Sequence, residues 1–165
     1  MIHLVCGSTG AGKTTYANEL RQQLGALHLA IDDWMATLFA PDTPPQMSWP
    51  WIEERVLRCE RQILATALDL ARTGVPSILD LGLQRADQRR RVAERAAMAS
   101  VGVRLHFLDV DATERWRRVE VRNKQQGETF RMKVTRPMFD FIETIWQPPT
   151  SEEMSALDGV RIAPQ

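Results

Sequence analysis

Apolar residues in this chain follow two alternating rhythms. Short apolar runs stand at 2–6 (IHLVC), 27–31 (LHLAI), 75–79 (VPSIL), 103–108 (VRLHFL) and 160–163 (VRIA). The middle three are continuous or nearly so, as in parallel strands covered on both faces. Between the runs, apolar residues recur every three or four positions in 14–24, 51–71, 85–99, 113–125 and 137–146, which is the period of a helix with one buried face. Strand and helix alternate along the chain. That alternation predicts an α/β fold of three layers, a five-stranded parallel sheet with helices on both faces, right-handed crossovers and ligands at the carboxyl ends of the strands.

The polar punctuation agrees. Asp111 and Glu114 have capping-box spacing, Thr135 precedes a first-turn Pro137, and Gly74 follows the long helical stretch. Four prolines in residues 41–50 (PDTPPQMSWP) predict a loop there, placed as a flap on the substrate side of the second strand. At 165 residues, the chain is expected to be one domain, 1–165.

Composition narrows the partners. The 21 basic and 21 acidic residues balance, so no overall field draws the chain to nucleic acid or to an anionic membrane. No segment approaches the ~20 apolar residues of a bilayer span. Cys6 and Cys59 lack metal-type spacing, and residues 1–6 carry no basic lead-in, so reduced thiols and a cytoplasmic location are expected.

The sharpest chemical signal is GSTGAGKT, residues 7–14, which matches the phosphate-loop pattern G-x-x-x-x-G-K-[ST] between an apolar strand and an amphipathic helix. The backbone amides of Gly7, Ser8, Thr9, Gly10, Ala11 and Gly12 curl round a triphosphate. A Cβ at Gly7 or Gly12 is expected to obstruct that curl. Lys13 reaches the β and γ phosphates, the Thr14 hydroxyl ligates Mg2+, and Thr15 continues a helix N-terminus whose dipole favours the anion. ATP with Mg2+ is the expected cofactor pair.

Two further strands end on acids. Asp32-Asp33 follow the second run and Asp80 follows the third, so both deliver carboxylates to the sheet edge where the loop lies. Asp80 suits the second Mg2+ ligand, directly or through water, and Asp32 suits the base that takes the proton of an acceptor hydroxyl. Asp33 fits function and helix capping equally.

Beyond the fourth strand, Arg115, Arg118 and Arg122 share a helix face at i, i+3 and i+7, with Arg131 and Arg136 beyond a glycine-containing loop. Next to a phosphate loop, such a face predicts a small arginine-bearing lid whose guanidinium groups, Arg118 and above all Arg122, stabilise the transferring phosphoryl group. Arg85, Arg89, Arg90, Arg91 and Arg95 wrap round their helix and read as solvated, with Arg85 and Arg89 near enough to the Asp80 strand end to reach an acceptor. His3, His28 and His106 read as packed or edge residues. Trp34, Trp49 and Trp51 flank the proline loop, where an acceptor pocket and ordinary packing are both open.

In order, GSTGAGKT, AIDDW, SILDLGLQRADQRR and LHFLDVDATERWRRVEVRN resemble the small P-loop kinases related to the 5′-hydroxyl kinase domain of phage polynucleotide kinase, chloramphenicol phosphotransferase and the zeta toxins, and most closely the compact bacterial ATP-binding members. The motifs cover roughly residues 1–125. The resemblance implies that Asp32 is the general base and Arg122 the lid arginine. It also implies a departure, because Met35 stands where polynucleotide kinases of this type carry an arginine for substrate phosphate. The expected activity is transfer of the γ-phosphoryl group of ATP to a hydroxyl of a small molecule. A polynucleotide 5′-hydroxyl and a nucleotide-controlled regulatory ATPase are the alternatives.

Overall fold

A computed structural model describes residues 1–46, 48–127, 130 and 132–163. Its strands are β1 (Ile2–Cys6), β2 (Leu27–Ala30), β3 (Ser77–Asp80), β4 (Val103–Leu108) and β5 (Val160–Ile162). Its helices are α1 (Lys13–Leu24), α2 (Ile31–Leu38), α3 (Trp49–Arg72), α4 (Ala86–Met98), α5 (Ala112–Gln125), α6 (Arg136–Ile145) and α7 (Ser151–Ala156). All pairings are parallel and the strand order is β2-β3-β1-β4-β5. The fold class predicted from the apolar rhythm is the one found.

Each face of the sheet has its own core, because successive side chains of a strand point to opposite sides. Ile2, Leu4 and Cys6 pack with Ile63 and Ala67 of α3 and Val92 and Ala96 of α4. On the other face, Val5, Ile78 and Leu108 meet Ala17 and Leu20 of α1. Burial pushes the Cys6 thiol up to about 12, as befits an inert core side chain.

Three boundaries differ from expectation. Ile31 does not extend β2; it opens α2, in which Ile31, Trp34, Met35 and Leu38 form an i, i+3, i+4, i+7 stripe with no glycine or proline to break it. The proline loop ends at Ser48, since Trp49 and Pro50 already belong to the first turn of α3, where a missing N–H removes no helix bond. Residues 151–156 form α7, with Thr150 accepting from the Glu153 amide at 3.2 Å.

The order of the strands positions the chemistry. β1 lies between β3 and β4, so the loop leaving β1 opens where the chain's crossovers diverge, the usual ligand crevice of an open α/β sheet. Asp80 ends the strand on one side of that crevice, and β4 leads into α5 on the other.

Candidate active site

Residues 7–14 bridge β1 and α1 as a tight loop. Gly12 is the N-cap of α1 at φ 92, and Gly10 has φ 83, both in the left-handed region that glycine tolerates best. Gly10, outside the fixed positions of the motif, is the most constrained: a Cβ there would stand 2.5 Å from the Arg115 carbonyl oxygen on α5. At Gly7 a Cβ would stand 3.0 Å from the Leu108 carbonyl, whereas at Gly12 it would meet nothing nearer than Arg118 at 3.6 Å. The expected obstruction therefore holds by contact at Gly7 and by backbone angle at Gly12.

No acidic residue occupies the first turn of α1 and no side chain caps it, which leaves its amide donors and dipole for an anion. Lys13 Nζ donates to the Gly7 and Ser8 carbonyls at 3.0 and 3.4 Å. The loop faces a cleft of about 650 Å³ whose walls include residues 9–16, Asp32, Asp80, Gly82, Gln84, Arg117, Arg118 and Arg122.

Opposite the loop, the Thr14 hydroxyl donates to Asp80 Oδ2 at 2.8 Å. Burial alone would raise the Asp80 pKa, but the His28 ring, the Lys13 charge and the Thr14 hydrogen bond hold it below the usual carboxylate range. His28 Nε2 stands 3.9 Å from Asp80 Oδ2. The Thr14 and Asp80 oxygens fit Mg2+: both are hard donors, one is ionised, and octahedral Mg2+ at ~2.1 Å from each would hold neighbouring ligands ~3 Å apart. Among the described residues no three His, Cys, Asp or Glu converge as a protein-only metal cage.

Asp32 stands in the first turn of α2, exposed to the cleft yet enclosed on most sides. Desolvation first, then repulsion by Asp80 and Asp33, raises its pKa, with Lys13 and Arg122 opposing. Two carboxylates in one site are thereby pushed in opposite directions, an ionised one beside Thr14 and a more basic one beyond it. Asp33 is not the cap of α2, because the N-cap is Ala30; it contributes a favourable first-turn charge.

The arginine face divides. Arg115 was expected among the lid forks, but it is buried and turned toward the loop's outer wall. Its terminal nitrogens donate to both Glu143 carboxylate oxygens at 2.6 Å, its Nε to the Val110 carbonyl at 2.8 Å, and one terminal nitrogen also to the Thr9 carbonyl at 3.3 Å. Ser8 donates to the same carboxylate at 2.7 Å. All three lie within about 60° of one another round the helix, so position along it separates them: Arg115 meets the loop's outer wall and α6, and Arg118 and Arg122, about one and two turns further on, line the cleft. Arg118 Nε donates to Glu114 at 2.7 Å and its guanidinium lies over Gly12. Arg122 is half-buried; burial lowers its pKa against the pull of Asp32, and among the described residues its enclosed Nε has no hydrogen-bond partner. Asn123 clasps the Val134 backbone in both directions at 2.7 and 3.1 Å, pinning the base of the segment between α5 and α6. Arg131, the outer arginine of the expected lid, lies outside the described residues.

Other candidates fall away from the cleft. Arg89, read as solvated, is fully buried, with its fork on Glu153 at 2.6 and 2.9 Å and Trp146 beside it. Arg85 is exposed and paired with Asp87. His3, His106 and Tyr16 form a hydrogen-bonded chain at 2.9 and 2.8 Å, and burial drops His106 to about 4, so it is neutral near pH 7. Trp34 packs on the core, Trp49 meets Phe141 edge-on, and Trp51 lies under the Arg55 guanidinium; none lines the cleft. Met35 also packs on the core, its sulfur 3.9 Å from Cys59 Sγ. Position 35 is thus a packing position and does not line the cleft. Sequence reasoning missed Glu143 and Gln84 and the close packing at Gly10, since each is defined by what lies opposite it in space.

The fold and this cleft define a kinase-like P-loop nucleotide-binding protein. The chain belongs to an AAA domain family, whose model matches residues 2–140. Among solved structures it is similar to Mycobacterium tuberculosis APS kinase CysC in complex with AMPPNP and APS, at 20% identity and a TM-score of 0.68 over 99% of this chain and 88% of that one. It is similar to Chaetomium thermophilum Kti12 in complex with ADP-AlF3, at 15% identity and a TM-score of 0.73 over 99% and 89%. A gluconokinase from Sinorhizobium meliloti 1021 matches at 13% identity and 0.61 over 98% and 81%. No curated protein sequence matches the chain. Among the described residues no helix is long and apolar enough to cross a membrane.

Proposed function

We propose that residues 1–165 act as one domain, a phosphotransferase that moves the γ-phosphoryl group of ATP to a hydroxyl of a small molecule. The observation that carries this reading is the pair of carboxylates at one cleft edge: Asp80 ionised against Thr14, and Asp32 raised in pKa on the acceptor side of it. Asp32 stands where it can take a nucleophile's proton, and the open cleft beside it leaves room for an acceptor larger than water.

Lys13 and the amides of residues 7–15 hold the β and γ phosphates. Thr14 and Asp80 would hold Mg2+, which would neutralise phosphate charge there. Asp32 accepts the proton that leaves the attacking hydroxyl. Arg122, whose Nε has no partner among the described residues and whose charge faces Asp32, moves onto the transferring group, and Arg118 lies over the loop at Gly12. Catalysis is then positioning and charge stabilisation. Neighbours that carry ATP analogues or bear kinase names support the nucleotide end of the reading.

The test measures ADP formation from ATP and Mg2+ across a panel of hydroxyl compounds. Acceptor-dependent turnover that Asp32→Asn abolishes, with AMPPNP still bound, is the expected result. Slow turnover indifferent to every acceptor would overturn the reading in favour of a regulatory ATPase.

A further inference from the structure

The loop after β3 carries one polar side chain that the proposed chemistry leaves unused. Gln84 lines the cleft with Asp32, Asp80 and Gly82, and its Oε1 is enclosed with no hydrogen-bond partner among the described residues. An amide oxygen kept from both water and protein donors costs about 1–3 kcal/mol, so a fold retains one where something else satisfies it.

The backbone around Gln84 has no freedom to relieve that cost. The Gln147 amide donates to the Gln84 carbonyl at 2.8 Å, and the Ala86 amide donates to Gln147 Oε1 at 3.0 Å. Leu83 is in the core, and buried Arg89 is held by Glu153 while its guanidinium reaches the Leu83 carbonyl at 3.4 Å. Gln147, just after α6, therefore latches the loop at two points, and Arg89 of α4, braced by Glu153, holds it at a third. What remains free is the terminal torsion of the side chain, which is soft and roughly two-fold, so half a turn exchanges Oε1 and Nε2 at the cleft wall.

Charge limits what can bind beside this amide. Among the described residues the cleft's cations come from the loop and α5, namely Lys13, Arg117, Arg118 and Arg122. Its acceptor end presents Ile31, Asp32, Asp80, Gly82 and Gln84, two carboxylates and an amide. Lys13 and Arg122 offset the two carboxylates there and are taken up by the phosphates in the proposed chemistry, so among the described residues no cation is left over for a phosphate, sulfate or carboxylate on the acceptor. A hydroxyl both donates and accepts, so it matches the amide in either orientation.

Resting on the phosphotransferase reading, we infer that Gln84 is the specificity-determining residue of the acceptor site and that the acceptor is an uncharged polyhydroxyl compound. One hydroxyl gives its proton to Asp32 as it takes the phosphoryl group, and a second is hydrogen-bonded by Gln84.

The experiment compares two acceptor sets with ATP and Mg2+: neutral polyols and sugars (glycerol, erythritol, D-ribose, D-glucose) against anionic hydroxyl compounds (D-gluconate, adenosine 5′-phosphosulfate, a 5′-hydroxyl oligonucleotide). Phosphorylation within the neutral set is expected, with Gln84→Met raising KM for that acceptor at least ~10-fold while AMPPNP affinity stays within ~2-fold. A monodeoxy analogue of that acceptor should suffer the same loss on the wild type and no further loss on Gln84→Met. Gln84→Asn, which keeps the amide on a shorter arm, checks that the loss follows hydrogen bonding and not folding. Preference for an anionic acceptor overturns this proposal and leaves the phosphotransferase reading standing, as does an unchanged KM in Gln84→Met. Failure of both sets with AMPPNP bound overturns both.

Discussion

The two ends of the cleft are built on opposite principles. At the phosphate loop, the outer side is braced by protein while the inward amides are left for an anion: Arg115 makes a two-point fork with Glu143, Glu143 also takes the Ser8 hydroxyl, and Gly10 is pressed against the Arg115 carbonyl. At the acceptor end, the Nε of Arg122 and Oε1 of Gln84 are enclosed with no partner among the described residues, and Asp32 is held at a raised pKa by desolvation and its acidic neighbours. The loop must keep one shape to present its amides, so its bracing is complete. The acceptor end must exchange protein contacts for ligand contacts, so its groups are left wanting them.

Five expectations break or sharpen that contrast, beginning with the largest. Lys13→Ala should cut turnover by at least ~10³-fold, because the charge on the β and γ phosphates has no substitute in the cleft; steady-state ADP release measures it. Asp32→Asn should lower kcat by roughly 10²–10⁴-fold, the usual worth of a general base, with AMPPNP affinity nearly unchanged in a calorimetric titration. If binding falls as much as turnover, Asp32 belongs with the braced end.

The third compares two arginines of one helix. Arg115→Gln should cost about 3 kcal/mol in urea unfolding, since it strands the Glu143 carboxylate in a largely enclosed site. Arg122→Gln should leave stability within ~0.5 kcal/mol and lower kcat by ~10²-fold or more. Equal effects on stability would erase the distinction between the two ends.

The fourth stays within the loop. Gly10→Ala should destabilise by about 2 kcal/mol or more, as it meets both a positive φ and a backbone oxygen, whereas Gly12→Ala faces the φ penalty alone, about 1 kcal/mol. Thermal unfolding of the two variants side by side ranks them.

The smallest effect is in pH dependence without metal. A raised folded pKa at Asp32 means its stability contribution is full below the unfolded value near ~4 and is lost as pH rises through the folded pKa. Asp32→Asn should therefore raise Tm at pH 7, with the gain shrinking toward pH 3. Asp80 has the opposite sign: its contribution is present above the unfolded pKa and is lost as pH falls through the lower folded value. Asp80→Asn should lower Tm at pH 7 and converge on the wild type in acid. The two differential scanning series should cross in sign.

How much of this was legible in the chain differs by feature. The five strands were, because parallel strands buried on both faces leave short apolar runs that little else produces. Helix α2 was half legible: its stripe from Ile31 to Leu38 is complete, but it begins without a gap after an apolar strand, so the run was read as extending the strand. Arg89 was misread because an arginine among alanines on a helix resembles a solvated face, and its buried partner Glu153 lies 64 residues away. Met35 drew weight as a departure from a related motif, yet its side chain lies against Cys59 in the core.

What the chain determined alone was the local chemistry: the glycine and lysine spacing of the phosphate loop, the acids at or just past strand ends, and the alternation that demands a parallel sheet. These follow from backbone geometry and periodicity over a few neighbouring residues. What only the tertiary structure decided was the assignment of roles among like residues. Arg115 braces and Arg122 faces the cleft, Asp80 is ionised and Asp32 made more basic, and Gly10 outranks Gly12, because each outcome is set by burial and by groups brought close from distant parts of the chain.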